Sequence, residues 1–400
     1  MWLAGTVMEW IIFFDDAIAF EGAIAYQLKV MRENPGIQQI RPFLKEDIPQ
    51  VADMFQRLLL GDTAPMRLLS PAALPDYFEE IFFQNPWYDE SIPSLVYQEK
   101  NGKIIGFLGV VPRQMSLLDQ PVRVAVSFHF MVEPENRSSM AGVKLLRAFF
   151  AGPQDLSLTD GAGDVGRRIW EGVGGATAWA YSLLWTRILQ PAHYAVDLLR
   201  KRKAFSPFAY AISPLRYLAD AAAQRMLPQY FPNAPQQCSE EELDAETLLR
   251  HLPQFSKIAA LRPVYNEDSL RWLLKHAGQM KLFGDFKTAL VRDSSREVIG
   301  WFMYYLKPGG MSCVFQFAAR KGAINEILDS LFSHARRHGA AAISGRLYPC
   351  YMQELSDKRC YFHRDGGWVL IHSNNDKLLD VVQQGNAFLT GLEGESCLLF

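Results

Sequence analysis

Cysteine is scarce in this 400-residue chain: Cys238, Cys313, Cys350, Cys360 and Cys397 are odd in number and form no C-x-x-C pair. A disulfide framework needs paired cysteines, so the sequence reads as a reduced, cytoplasmic protein. A surplus of either charge is missing too. The 41 basic and 43 acidic residues leave a net charge of -2 and a pI near 6.5, which argues against a dedicated nucleic-acid binder with its basic footprint. Small, polar-headed partners fit that balance better. No Lys or Arg precedes Lys29, and Glu9, Asp15, Asp16 and Glu21 interrupt the apolar start. A signal peptide begins with positive charge and a spanning helix needs a long run almost free of charge, so neither is expected there.

A hydrophobic fraction of 49% supplies ample core, and the length suggests two or three domains at roughly 150 residues each. The most informative stretch is Phe128-His129-Phe130-Met131-Val132-Glu133-Pro134, followed by Glu135-Asn136-Arg137-Ser138-Ser139-Met140-Ala141-Gly142. The first part reads as a strand ended by proline and polar residues, and 143–150 resumes an apolar pattern at helical spacing with Lys144 and Arg147 outward. A short polar loop thus joins a strand to a helix N-terminus, where N–H groups and the positive end of the dipole suit a phosphate.

Three neighbours extend the pattern. Leu95-Val96-Tyr97-Gln98 and the run 104–111 flank Asn101-Gly102, a hairpin signal because both residues tolerate positive φ. Residues 156–159 read as a strand and 164–170 as a short helix. The stretch Ile169-Trp170-Glu171-Gly172-Val173-Gly174 closes the series. These landmarks, Val132-x-Pro134 with Arg137 and Gly142 above all, resemble the acyl-CoA-binding segment of the GNAT (GCN5-related) N-acyltransferase family, V-x-P then R-x-x-G-x-G. Met140 stands where the family has its first glycine. The resemblance covers residues 40–189.

It implies an α/β (α+β) fold, a mixed central sheet flanked by helices, and acetyl-CoA or another acyl-CoA as co-substrate. The implied cofactor residues are Met131, Val132, Arg137, Ser138, Ser139, Met140, Ala141 and Gly142. For the base, His129 and Glu133 occupy alternate positions of the strand and so share a face. The alternatives are a satisfied core histidine and a solvated loop carboxylate. Trp170 stands where the family often places a tyrosine acid, leaving Tyr181 or water for that task. The implied reaction is acyl transfer to an amine, with an amino sugar or a peptide among the candidate acceptors. A FemAB-type aminoacyl transferase and a non-catalytic acyl-CoA scaffold are the alternatives.

Residues 1–36 do not resemble the family and read either as an amphipathic lid or docking helix or as a start placed too far upstream. The first GNAT-like domain is expected over 37–190, followed by a helical, proline-containing connector over 191–245. Its basic run Arg200-Lys201-Arg202-Lys203 leaves peripheral membrane contact open, although a solvated helix end explains it as well. Over 246–384 the order hairpin, strand, helix, strand returns, so a second, degenerate GNAT-like domain is expected. Its strand-to-helix junction, Ala319-Arg320-Lys321-Gly322-Ala323, carries no phosphate signature. Residues 385–400 read as a tail. No metal site is expected: His334 and His338 lack the Glu of H-E-x-x-H and suit a helix C-terminus, and Cys350, Cys360 and His363 are irregularly spaced. Gly161-x-Gly163-x-x-Gly166 matches a dinucleotide pattern but lacks the acidic residue that binds the ribose.

Overall fold

The computed structural model describes residues 39–60, 70–135, 140–201, 215–226, 238–255 and 259–398. The N-terminal extension, and Arg137, Ser138 and Ser139 of the expected phosphate loop, lie outside the described residues. The first half builds β1 (Gln39–Pro42), α1 (Ile48–Phe55), α2 (Leu74–Phe82), β2 (Leu95–Gln98), β3 (Ile104–Leu117), β4 (Gln120–Val132), α3 (Ala141–Phe150), β5 (Leu156–Ala162), α4 (Asp164–Gly172), β6 (Ala176–Thr177) and β7 (Leu184–Ile188). The Asn101-Gly102 turn forms as read, with Gly102 at φ 86°. A second turn, Leu118-Asp119, has φ of 48° and 70° and folds β3 back onto β4 with Leu117 opposite Gln120. Both residues have the positive φ of a two-residue hairpin loop, without the Asn or Gly that usually announces one.

Helices α5 (Pro191–Lys201) and α6 (Leu215–Met226) follow. Then come β8 (Ser239–Glu241), α7 (Ala245–His251), β9 (Leu261–Pro263), α8 (Glu267–Gln279), β10 (Asp285–Arg292), β11 (Val298–Leu306), β12 (Met311–Ala319), α9 (Ile324–Arg337), β13 (Ala342–Arg346), α10 (Met352–Asp357), β14 (Tyr361–His363), β15 (Trp368–His372) and α11 (Asp376–Gln383). The hairpin β10–β11, then β12, α9 and a β13 parallel to β12 repeat the order of β2 to β5, where β5 follows α3 and runs parallel to β4. Every residue of β11 is buried, as befits a central strand covered on both faces. The fold is therefore mixed α/β, with two mixed sheets flanked by helices.

The strands do not segregate at the boundaries expected from sequence. One sheet runs β1-β2-β3-β4-β5-β15-β6 with β9 on β3, and the other runs β14-β7-β13-β12-β11-β10-β8. β7, from the 37–190 span, thus lies between β13 and β14 of the second sheet. β15, from the 246–384 span, lies between β5 and β6 of the first. Trp185 of β7 packs edge-on against Phe317 and Phe332, and the Trp170 indole donates to Ile371 O of β15 at 2.9 Å. A shared core joins the sheets, with Phe55, Phe78 and Phe107 in the same cluster as Leu273, Trp301, Phe315 and Leu398.

The exchange predicts that residues 37–190 expressed alone do not form a folded monomer, because the fragment lacks β15 and exposes β7 with its Trp185. Near-ultraviolet circular dichroism and gel filtration check this; a compact monomer with native-like aromatic signals would show that the sheets fold separately.

Candidate acyl-CoA site

β4 and β5 pair only at Val124–Leu156, Ala125–Ser157 and Val126–Leu158. Beyond Val126 the parallel ladder stops while both strands continue, so 127–132 and 159–162 form the walls of a split. On one side α3 and α4 close it, with Phe130, Leu146, Phe149 and Trp170 in one cluster. On the other lie α1, α2 and the C-terminal segment, represented by Phe55, Phe78, Phe128, Met131, Cys397 and Leu398.

A bulge lies on the β4 wall. Phe107 faces Met131 and Gly109 faces Phe128, so His129 and Phe130 stand opposite Leu108 alone. His129 takes up the irregularity at φ 51°. A bulge leaves its extra residue outside the ladder and re-aims side chains; here it turns the His129 ring toward α1 and α2. The ring lies among Phe55, Tyr77, Phe78, Phe82 and Phe128. Its Nε2 lies 2.5 Å from the Tyr77 hydroxyl, which donates to Leu398 O at 3.0 Å. Burial pushes the His129 pKa down to about 3, so the imidazole is neutral at physiological pH. Burial likewise holds the Tyr77 hydroxyl protonated, well above the ordinary phenol range.

The expected base pair is rearranged. Glu133 meets the same α1–α2 side as His129, but its carboxylate is taken by Arg57, with Nη2 to Oε1 at 2.7 Å and Nη1 to Oε2 at 3.3 Å. That hydrogen bond lowers the Glu133 pKa, so Glu133 is an ion-pair partner where sequence suggested a proton acceptor. Tyr181 is not brought to the bulge. Its hydroxyl donates to Ala387 O at 2.6 Å and accepts from Ala387 N at 2.9 Å, and burial raises its pKa; it clamps the chain after α11. Tyr77 escaped the sequence reading because it belongs to α2, whose apolar spacing makes it look like one more core aromatic.

At the end of the split, α3 begins at Ala141, with Met140 as its N-cap at φ 60° and ψ 18°. The turn therefore has the left-handed backbone that favours glycine, as the family's pattern would provide, and Met140, 54% exposed, adopts it. The first N–H groups of a helix have no partner within it. Gly142 has a packing role beyond any approach of phosphate: a Cβ there would sit 3.0 Å from Phe130 Cζ and 3.6 Å from Val132 Cγ2. Met131 is buried in the core and Val132 is half-buried.

The second sheet has a corresponding split, filled by the protein itself. β12 and β13 pair from Met311–Ala342 to Cys313–Ser344. Beyond that, Phe317 stacks near Tyr348 and Tyr351 at 4.7 and 5.7 Å, and Gly391 N donates to Phe315 O at 2.9 Å. Any Cβ at position 391 would run into the Phe315 ring. The tail read at 385–400 is thus a wedge between the sheets over its described length.

No family model matches the chain, and no curated protein matches it in sequence. Solved structures do. A conserved protein of unknown function from Enterococcus faecalis V583, described as a probable N-acyltransferase, aligns over 87% of this chain and 74% of its own at 10% identity and TM-score 0.53. A GCN5-related N-acetyltransferase from Kribbella flavida aligns over 84% and 71%, at 14% identity and TM-score 0.51. One from Anabaena variabilis ATCC 29413 aligns over 84% and 73%, at 11% identity and TM-score 0.53. At such identities the likeness is one of fold, and it extends over both sheets.

Two outcomes follow from this geometry. Met140→Gly relieves a left-handed backbone that costs a side-chain residue about 1–2 kcal/mol, partly offset by glycine's extra freedom when unfolded, for a net gain of about 1 kcal/mol in thermal or urea denaturation. His129, neutral when folded and ordinary when unfolded, contributes stability in full above about pH 6.5 that is lost as pH falls from there toward 3, at up to about 1.4 kcal/mol per pH unit. Its ring resonances should show no titration between pH 5 and 8; a midpoint near 6.5 would contradict the aromatic cage.

Proposed function

Starting from the GNAT N-acyltransferase fold, we propose that this chain transfers an acyl group, acetyl or longer, from acyl-CoA to an amine acceptor such as an amino sugar or a peptide. The observation that carries this reading is the split between β4 and β5, with a bulge on its wall and a helix N-terminus at its end. Pantetheine would lie along 127–132, held by backbone groups that β5 leaves unpaired, with Met131 and Val132 beside it. The pyrophosphate would sit at the turn from Arg137 to Gly142, met by the Arg137 guanidinium and the first N–H groups of α3.

In the reaction the amine attacks the thioester carbonyl, the C–N bond forms, the C–S bond breaks, and a proton passes from the nitrogen to the departing thiolate. The bulge is the place for the thioester carbonyl, since its backbone is free of the ladder. Tyr77, a protonated hydroxyl oriented by His129, is the group there suited to carry the proton, and Glu133 with Arg57 fixes the end of the strand. A second reading is favoured by the state of the expected proton carriers. His129 is poorly basic, Glu133 is ion-paired and Tyr181 is spent on backbone, which suits a protein that binds acyl-CoA without transferring its acyl group.

Calorimetry with CoA tests the shared part. One site per chain is expected, because Phe317, Tyr348, Tyr351 and the tail fill the second split. Arg137→Ala should weaken binding by about tenfold or more, the loss of a charge-assisted bond worth about 1.5–3 kcal/mol. A double change of Arg320→Ala and Lys321→Ala should leave it unchanged. No binding at millimolar CoA would overturn both readings. Consumption of acetyl-CoA with a panel of amines separates transfer from binding alone, and Tyr77→Phe should lower kcat while leaving CoA affinity nearly intact.

A further inference from the structure

A cleft of about 450 Å³ opens between α5, α6 and α9 and shares no lining residue with either split. Its polar groups are built with more care than a gap between helices requires. Asp220 of α6 accepts from Ala192 N at 2.8 Å and His193 N at 3.1 Å, the first turn of α5, and from His193 Nδ1 at 2.5 Å. Those bonds occupy the carboxylate and fix the imidazole, which the Tyr217 ring meets edge-on at 4.6 Å. With Nδ1 committed, His193 Nε2 has no partner among the described residues.

Across the cleft, Ser333 of α9 is buried, and its Oγ is also without a partner among the described residues. Buried hydroxyls nearly always have partners, so an orphan lining a cavity points to something that supplies one. One turn further on, Arg336 lines the same cleft, its guanidinium steadied by Nη2 donating to Gln224 Oε1 at 2.6 Å. Asp220, the carboxylate of the lining, is taken up by His193 and the first N–H groups of α5, and Arg337, also in the lining, pairs with Glu240 at 2.6 Å.

We propose that this cleft is a binding site for a phosphate group, with Arg336 and Ser333 Oγ donating to its oxygens and His193 Nε2 making a third contact. Three groups reaching in from two sides match a tetrahedral oxyanion better than a planar carboxylate with its single edge. The site stands apart from acyl transfer and does not depend on it.

Full-length protein titrated with inorganic phosphate, glycerol 3-phosphate and acetate, read by the His193 ring resonances and by calorimetry, tests the assignment. Phosphate should bind in the millimolar range or tighter and move His193, whereas acetate should not. Tighter binding of glycerol 3-phosphate identifies a phosphate ester as the ligand, and equal binding identifies the free ion. Ser333→Ala removes the orphan hydroxyl, so it should melt no lower than wild type and bind phosphate about tenfold more weakly. Arg336→Gln should weaken phosphate at least as much. Unchanged phosphate affinity in the folded Ser333→Ala protein, absence of any His193 response, or an equal response to acetate would overturn the proposal.

Discussion

Asp160, near the end of β5, holds together three parts of the chain that are remote in sequence. Its Oδ1 accepts from Glu395 N at 2.7 Å, Oδ2 accepts from Ser396 Oγ at 3.2 Å and lies 3.5 Å from Arg346 Nη2, and its own carbonyl takes that Nη2 at 2.8 Å. Arg346 belongs to β13 of the other sheet and also donates to Tyr181 O at 2.9 Å. One half-buried arginine therefore pins the first sheet, the second sheet and the turn leading into β7. An ion pair with one buried member gains little over apolar packing, but removing Arg346 strands the charge of Asp160 away from water. Glu395, whose pKa is raised by burial and then by Asp160, lies beside this knot.

The reciprocal exchange of β7 and β15 follows from the same constraint. With each sheet holding a strand from the other half of the chain, the halves cannot separate without unpairing both ladders, and the tail has a fixed path between them. That path gives the two splits different fates. The tail at Phe315 and the rings of Tyr348 and Tyr351 at Phe317 occupy the second, whereas at the first the tail supplies Leu398 O to Tyr77 and leaves the edges of β4 and β5 apart beyond Val126. A repeated architecture thus yields one candidate site, because the wedge that joins the halves fits only one of the openings.

Among the described residues, two of the six non-glycine positions with positive φ lie at the candidate site. His129 and Met140 have positive φ at the bulge and at the helix start, and neither is a glycine. Such conformations cost of order 1–3 kcal/mol and persist when packing over-determines them. Five aromatic rings do so at His129. At Met140 the constraint is the helix itself, since Lys144 N closes on Met140 O at 3.0 Å.

The sequence alone determined the local grammar. Apolar period, the Asn101-Gly102 turn and the polar breaks placed β2, the start of β3, β5, α3, α4, β10 to β13 and α9 close to where they lie, because these depend on neighbours within a few residues. The family pattern around Val132-x-Pro134 located the split. Other features depended on contacts made across hundreds of residues. The Leu118-Asp119 hairpin lacks the Asn or Gly that usually betrays one. The exchange of β7 and β15 looks in sequence like any pair of apolar strands. His129 as a caged neutral ring, Glu133 as the partner of Arg57, and Tyr181 as a clamp on Ala387 are all settled by what each side chain meets in space. Residue type sets which chemistry a side chain is capable of; burial and partners, which only tertiary structure supplies, decide which of those capacities is left to use.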